Sequence, residues 1–300
     1  MAQSLSKKEP FLMPTEPQPN ESTYIIDSES GAEMARLMVQ DRILTEGMGG
    51  LFTELPDDAL VNVHDILDLA CGPGGWLLDV AYEFPKINVV GIDISNQLVD
   101  YARAQARVRW LGNVSFHVMD ILKPLEFDDE SMDLINARFL FGVLPRAEWP
   151  KLLGECKRVL RPGGIIRLTE CEMALSNSFA FEKLSSLFTR ALQLTGHSFS
   201  PDGRHIGITP VLGGLLREAG FQNLRRKAHM VDASEGMEAY ESCFQNYRVA
   251  CKLIEPLLIK LGLITQEEFD DMYQQMLNEM SSVGFCAEWF YLTVAGVKPE

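Results

Sequence analysis

Beyond residue 60 the chain alternates short β-rich apolar runs with stretches whose apolar residues recur at helical spacing. Ile66 to Ala70 reads as a strand followed by a helix over Trp76 to Phe84, and Asn88 to Ile92 as a strand followed by a helix over Asn96 to Arg107. Strands at Val114 to Met119, Met132 to Ala137 and Ile165 to Thr169 continue the pattern, with a helix from about Pro150 to Leu160 before the last of them. Strands alternating with helices call for right-handed crossovers, so the expected fold class is α/β: a doubly wound, mainly parallel sheet with helices on both faces. Arg161-Pro162-Gly163-Gly164 stops one helix, and Thr209-Pro210 opens another, Val211 to Ala219, ahead of a strand near Phe221 to Val231. Phe285 to Val297 reads as a closing strand.

Two segments break the alternation. Leu175 to Gly196 and Glu235 to Ser282 are helical in period, and in the second Thr265-Gln266-Glu267-Glu268 fits a capping box that starts a new helix running to about Met280. They read as helical lid insertions, with Phe179, Phe181, Phe188, Tyr240, Phe244 and Tyr247 as candidate lid aromatics. Residues 1–22 read as a flexible, Pro-rich polar tail, and residues 23–60 as an N-terminal helical cap with a helix over Ser28 to Glu46, capped at Ser28 or Ser30. Residues 61–300 form the core, with the insertions at about 175–196 and 235–282.

The stretch HDILDLACGPGGWLLDVA, His64 to Ala81, is a strand running into a tight Gly/Pro turn and then a helix. Glycines at 72, 74 and 75 remove the Cβ atoms that keep a ligand from the backbone, and the helix start offers unpaired N–H groups. Leu77 stands where a dinucleotide fingerprint needs its third glycine, and the chain contains no phosphate-binding G-x-x-x-x-G-K-[ST] loop. Asp68-Leu69-Ala70-Cys71-Gly72-Pro73-Gly74-Gly75 resembles motif I of the class I S-adenosylmethionine-dependent methyltransferases, and the resemblance runs from about Val61 to Glu172. It departs at Ala70, where the family usually has the first glycine. The resemblance implies S-adenosylmethionine as cofactor. Asp68 then helps hold its methionine end, while Ala70, Cys71, Gly72 and Gly74 carry the backbone beneath it. Asp93 ends the second strand and can accept from both ribose hydroxyls. By the same resemblance Asp120 meets the adenine amine, Met119, Ile121 and Ile94 wall the ring, and Ala137 and Arg138 lie near the amino-acid portion. Tyr24 is placed to close over the cofactor.

Methyl transfer is an in-line displacement at an activated sulfonium, so much of its acceleration comes from proximity and orientation. If a general base is used, the candidates are His197 and His205 in the loop HSFSPDGRHIG and Glu170 near the end of the fifth strand. Asp128-Asp129-Glu130 lacks complementary ligands and reads as a solvated turn, so no metal is expected. The six cysteines are scattered, without a C-x-x-C pair, which fits a reduced cytoplasmic protein. No apolar run approaches the ~20 residues of a membrane span. The expected partner is a small-molecule methyl acceptor, with the chain a monomer or homodimer. A protein or RNA acceptor, or a non-catalytic use of the cofactor, is the competing reading.

Charge bears on that choice. The net charge of −15 repels phosphate backbones, and Arg225-Arg226-Lys227 is too short a basic run to reverse it. Anisotropy titration against RNA or DNA is expected to show no appreciable salt-dependent binding, and a steep log-log salt slope would contradict this.

Overall fold

The computed structural model describes residues 24–26, 30–56 and 58–300; the expected tail over 1–22 and the cap position Ser28 lie outside the described residues. Helix α1 (Gly31–Gly47) precedes β1 (Asp65–Leu69), α2 (Gly75–Glu83), β2 (Asn88–Asp93), α3 (Asn96–Val108), β3 (Val114–Val118), β4 (Met132–Arg138), α4 (Trp149–Val159) and β5 (Leu160–Cys171). Then come β6 (Leu175–Ser176), α5 (Phe179–Leu194), α6 (Ile208–Glu218), β7 (Gln222–Asp232), α7 (Tyr240–Lys260), α8 (Gln266–Met280) and β8 (Ala287–Val297). The strands form one eight-stranded sheet in the order β3-β2-β1-β4-β5-β8, with the short β6 and the long β7 both paired to β8. β1 to β5 pair in parallel, whereas β8 runs antiparallel to β5 and β7.

Successive strand side chains face opposite ways, and the two faces feed two apolar cores. Ile66 and Leu134 join α2 and α3 on one face. Leu67 and Ile135 join α4, α6 and the later helices on the other. The α5 helix starts where the Ser178 hydroxyl accepts the Phe181 N–H, so Leu175 and Ser176, expected to be helical, instead pair with Glu288 and Ala287 of β8. The Thr265 capping box forms as the sequence indicates. β5 reaches back to Leu160, which pairs with Met132; the register then shifts, and the proline and glycines at 162–164 sit in that irregularity.

A polar chain runs through the centre of the sheet. Arg167 on β5, fully buried, pairs with the Glu54 carboxylate, which the loop between α1 and β1 brings in. Its Nη1 donates to Asn136 Oδ1 at 2.6 Å, and Asn136 Nδ2 donates to Asp68 Oδ1 at 2.6 Å. Burying charge is costly unless each group is satisfied, and here each hands its hydrogen bond to the next, ending at the carboxylate below the glycine turn. Glu54→Ala strands the Arg167 cation and is expected to lower unfolding stability by about 3–5 kcal/mol. Glu54→Leu combined with Arg167→Met should recover much of that. Urea denaturation of the three proteins is the measurement, and equal midpoints for wild type and Glu54→Ala would remove the pair from this account.

Candidate active site

Strand β1 ends in a turn that only a few residue types tolerate. Gly72 and Gly74 adopt left-handed φ of +57° and +79°, and a Cβ built on Gly74 would lie 2.7 Å from the Phe116 ring and 3.0 Å from Ala102. Gly74 is also the N-cap of α2, so its missing side chain lets the helix start close against the sheet. Ala70 shares the unusual conformation, with φ of +50°. An L-residue there costs roughly 1–2 kcal/mol that glycine avoids. Departure from the family pattern therefore left the backbone path in place. The turn is fastened by Asp93 at the end of β2, whose Oδ2 accepts the Gly72 N–H at 2.8 Å and whose Oδ1 accepts the Ser95 N–H at 3.0 Å.

At the carboxyl ends of β1, β2 and β4 the described residues enclose a cavity. Tyr24, Ala70, Gly72, Asp93 and Ile94 are among its walls, with Met119, Asp120, Ile121 and Arg138. These nine positions were all expected from the sequence. Asp120 Oδ1 accepts the Leu122 N–H at 2.9 Å, which fixes the carboxylate at the start of the loop after β3. A neighbouring recess is lined by Asp68, Cys71, Gly72 and Arg138. Gly74 and Ala137 line neither; Ala137 is buried in the sheet beneath. Burial pushes the Asp68 carboxyl up to about 7, although Arg138 opposes the shift. Burial likewise drives the Cys71 thiol well above its ordinary value, so it stays protonated.

Helix α1 covers these cavities with an inner face that is partly polar. Its buried residues are Glu33, Arg36, Ile43 and Leu44, while Met38 is exposed. Arg36 donates to both Glu33 oxygens at 2.7 Å, and through Nη1 to Gln40 Oε1 at 2.6 Å and to Asn246 Oδ1 of α7 at 3.0 Å. The Tyr24 hydroxyl donates to Glu33 at 2.6 Å. Farther along, Asp41 pairs with Arg138, whose guanidinium also lies 5.7 Å from the Trp76 ring centre. Leu37 and Gln40 thereby become cavity walls. No periodic signal marks such residues, since their partners lie far away in sequence.

A second and more apolar cavity adjoins the first, with about 940 Å³ of atom-free space including its mouth. Tyr24, Gln40 and Phe139 line both. Phe139 follows β4 with φ of +58°, and its ring stands 5.9 Å from Phe141 and 5.6 Å from Trp289. Of the lid aromatics expected from sequence, Phe181, Phe188 and Tyr247 line this cavity; Tyr240 and Phe244 do not, and Phe179 is 66% exposed. The Tyr247 ring meets Phe181 edge-on at 4.8 Å and Trp289 at 5.6 Å.

None of the three candidate bases lines either cavity. Glu170, expected at a solvated strand end or as a base, is fully buried; its carboxylate accepts the Leu140 N–H at 2.8 Å and the Phe141 N–H at 3.4 Å, and burial pushes it up to about 8. It thus fixes the turn that carries Phe139. His197 is buried in the loop between α5 and α6, with Nδ1 3.0 Å from the Thr195 hydroxyl, and His205 in the same loop is exposed. Glu172, which the sequence reading passed over, does line the apolar cavity, but its carboxylate accepts the Gly207 and Thr209 N–H groups and the Thr209 hydroxyl, capping α6. Asp129 and Glu130 bind Arg158 and Lys298, and among the described residues no three His, Cys, Asp or Glu side chains converge as metal ligands.

Residues 66–164 match the family described as "Methyltransferase domain". Among curated proteins the chain is 32% identical over 178 residues to nocamycin O-methyltransferase of Saccharothrix syringae, an alignment covering 54% of this chain and 60% of that one. It is 27% identical over 183 residues to demethylmenaquinone methyltransferase of Lactococcus lactis, covering 55% and 68%. The chain spans about three fifths of the length of the first of these relatives. In fold it is similar to phosphoethanolamine N-methyltransferase 2 of Haemonchus contortus, solved with S-adenosyl-L-methionine, with a TM-score of 0.54 at 17% identity over 95% of this chain and 62% of that one. The glycine turn after β1, the strand-end carboxylates and the match over residues 66–164 agree: this part of the chain is similar to the class I, Rossmann-like S-adenosylmethionine-dependent methyltransferases.

Proposed function

We propose that this protein binds S-adenosylmethionine in the cavity at the carboxyl ends of β1 and β2 and transfers its methyl group to a small molecule held in the apolar cavity beside it. The observation that carries this reading is the shared wall: Tyr24, Gln40 and Phe139 line both cavities, so a donor in one and an acceptor in the other lie side by side. The names of the curated relatives, which include an O-methyltransferase and a demethylmenaquinone methyltransferase, support a small-molecule acceptor.

The residues present fit the cofactor. Gly72, at a φ of +57°, presents bare backbone to the cavity, and Asp93, held by two backbone amides, lines the same cavity as a potential acceptor for ribose hydroxyls. Met119, Ile121 and Leu122 offer apolar walls next to the Asp120 acceptor, as an adenine requires. S-adenosylmethionine supplies, when bound, a methyl group on a positively charged sulfur that needs no further activation. Asp68, backed by Asn136, and Arg138, backed by Asp41, are the pair that would meet an ammonium and a carboxylate. The chain's own contribution is then orientation and exclusion of water. Helix α1 with α5, α7 and α8 serves as the cap over the acceptor.

No helix of the described residues is long and apolar enough to cross a membrane. The six free cysteines favour a reducing compartment such as the cytoplasm, with the protein acting as a monomer or homodimer and without nucleic acid.

Asp93→Ala is expected to weaken S-adenosylmethionine binding at least tenfold, since hydrogen bonds to a charged acceptor contribute about 1.5–3 kcal/mol each. A calorimetric titration identical to wild type would sink the ribose assignment. Affinity should also depend on pH. Asp68 is largely protonated below about 7 and anionic above it, and only the anion attracts an ammonium group. Binding is therefore expected to tighten as pH rises through 7 with release of a proton, and Asp68→Asn to flatten that rise. Calorimetry in buffers of different ionisation enthalpy reads the proton directly; a profile that Asp68→Asn leaves unchanged would assign the dependence elsewhere.

A further inference from the structure

The apolar cavity is selective in what it lacks. Among the described residues that line it, the one cation, Arg36, is neutralised by Glu33 and spends a further N–H bond on Gln40 and Asn246. The one carboxylate among those residues, Glu172, caps α6. Burial raises Cys171, Tyr247 and Cys251 above their ordinary values, so these groups stay neutral. An acceptor bearing a phosphate, carboxylate or ammonium would leave water without gaining a counter-charge, which a low-dielectric wall penalises heavily.

The same guanidinium also decides which polar groups face a ligand. A carboxamide has one oxygen and one nitrogen end, and a guanidinium, which only donates, pairs with the oxygen. Arg36 Nη1 draws in Gln40 Oε1 at 2.6 Å and Asn246 Oδ1 at 3.0 Å, so the outward end of each amide is its NH₂. Asn246 is 3% exposed, and among the described residues its amide nitrogen makes no hydrogen bond. A wall of aromatic rings with two oriented N–H donors matches a flat, uncharged molecule carrying an oxygen that accepts.

Resting on the reading above, we propose that the methyl acceptor is a neutral ring compound bearing a carbonyl oxygen, which Asn246 and Gln40 recognise through the amide nitrogens that Arg36 turns toward the cavity. Discrimination then comes from Arg36 acting indirectly: it orients the donors and does not itself bind the substrate.

Three probes on one scale of size test this: 5-hydroxy-1-tetralone, which has ring, hydroxyl and ketone; 5,6,7,8-tetrahydro-1-naphthol, which lacks the ketone; and 1-naphthyl phosphate, which is charged. Binding is measured calorimetrically on protein saturated with the demethylated cofactor, and turnover is followed separately with methyl-labelled cofactor. The expected order is the tetralone at least tenfold tighter than the tetrahydronaphthol, with no measurable binding of the phosphate. In Asn246→Leu, measured on protein saturated with the demethylated cofactor, the ketone's advantage should shrink to less than threefold. The wild-type comparison stands even if that variant folds poorly. Binding of the phosphate as tight as the tetralone, absence of any ketone advantage, or an advantage undiminished in Asn246→Leu would each overturn the proposal. Failure of the cofactor itself to bind would instead overturn the parent reading.

Discussion

Glu33 and Arg36 form an ion pair, one turn apart on α1, that is shut away from water. Desolvating two such groups is unfavourable unless every lone pair and proton finds a partner, and the partners come from three separate parts of the chain: Tyr24, Gln40 and Asn246. That requirement fastens the segment before α1 and the helix α7 to the same spot above the sheet. Shifting α1 along its axis would strand a buried charge, so the helix has one position over the glycine turn. Both cavities inherit their common wall from it. A purely apolar helix face could slide with far less penalty, which makes the polar choice one of placement more than of stability.

Much of this was legible in the sequence because the signals were local. Strand–turn–helix at Asp68 to Ala81, the carboxylates at the ends of β2 and β3 and the capping box at Thr265 each depend on neighbours within a few residues, and local physics decides them. Where the sequence reading failed, the deciding partner was remote. Nothing in the sequence marks Glu33 and Arg36 for burial, because the partner Asn246 lies 210 residues from Arg36. Glu170 looked like a strand end, whereas its carboxylate binds two amides of the turn after β4. The two-residue β6 carries no periodicity at all, and exists only because β8 extends past the end of β5.

Among the described residues five non-glycine positions hold left-handed backbone, and two of them lie beside the cavities. Ala70 and Phe139, both without glycine's freedom, hold left-handed backbone at the carboxyl ends of β1 and β4. Each is pinned from outside: Cys71 donates to the Ile92 carbonyl at 2.9 Å, and Phe139 to the Thr169 carbonyl at 2.9 Å. Unfavourable conformations persist where the surroundings over-determine them, and here they turn the chain toward a ligand. Phe139 shows the use most plainly, since its conformation carries a ring to the boundary between the cavities.

The antiparallel strand β8 sits between β5 and β7, yet it follows both in the chain, with α7 and α8 intervening. During synthesis, therefore, two strands wait with bare backbone edges while two helices are still being made. Unpaired edges of this kind recruit strands from other molecules. Seen from the ribosome, the arrival of β8 is the step that covers the β5 edge and joins β7 to the sheet, and the rate of translation through α7 and α8 sets how long those edges stay bare.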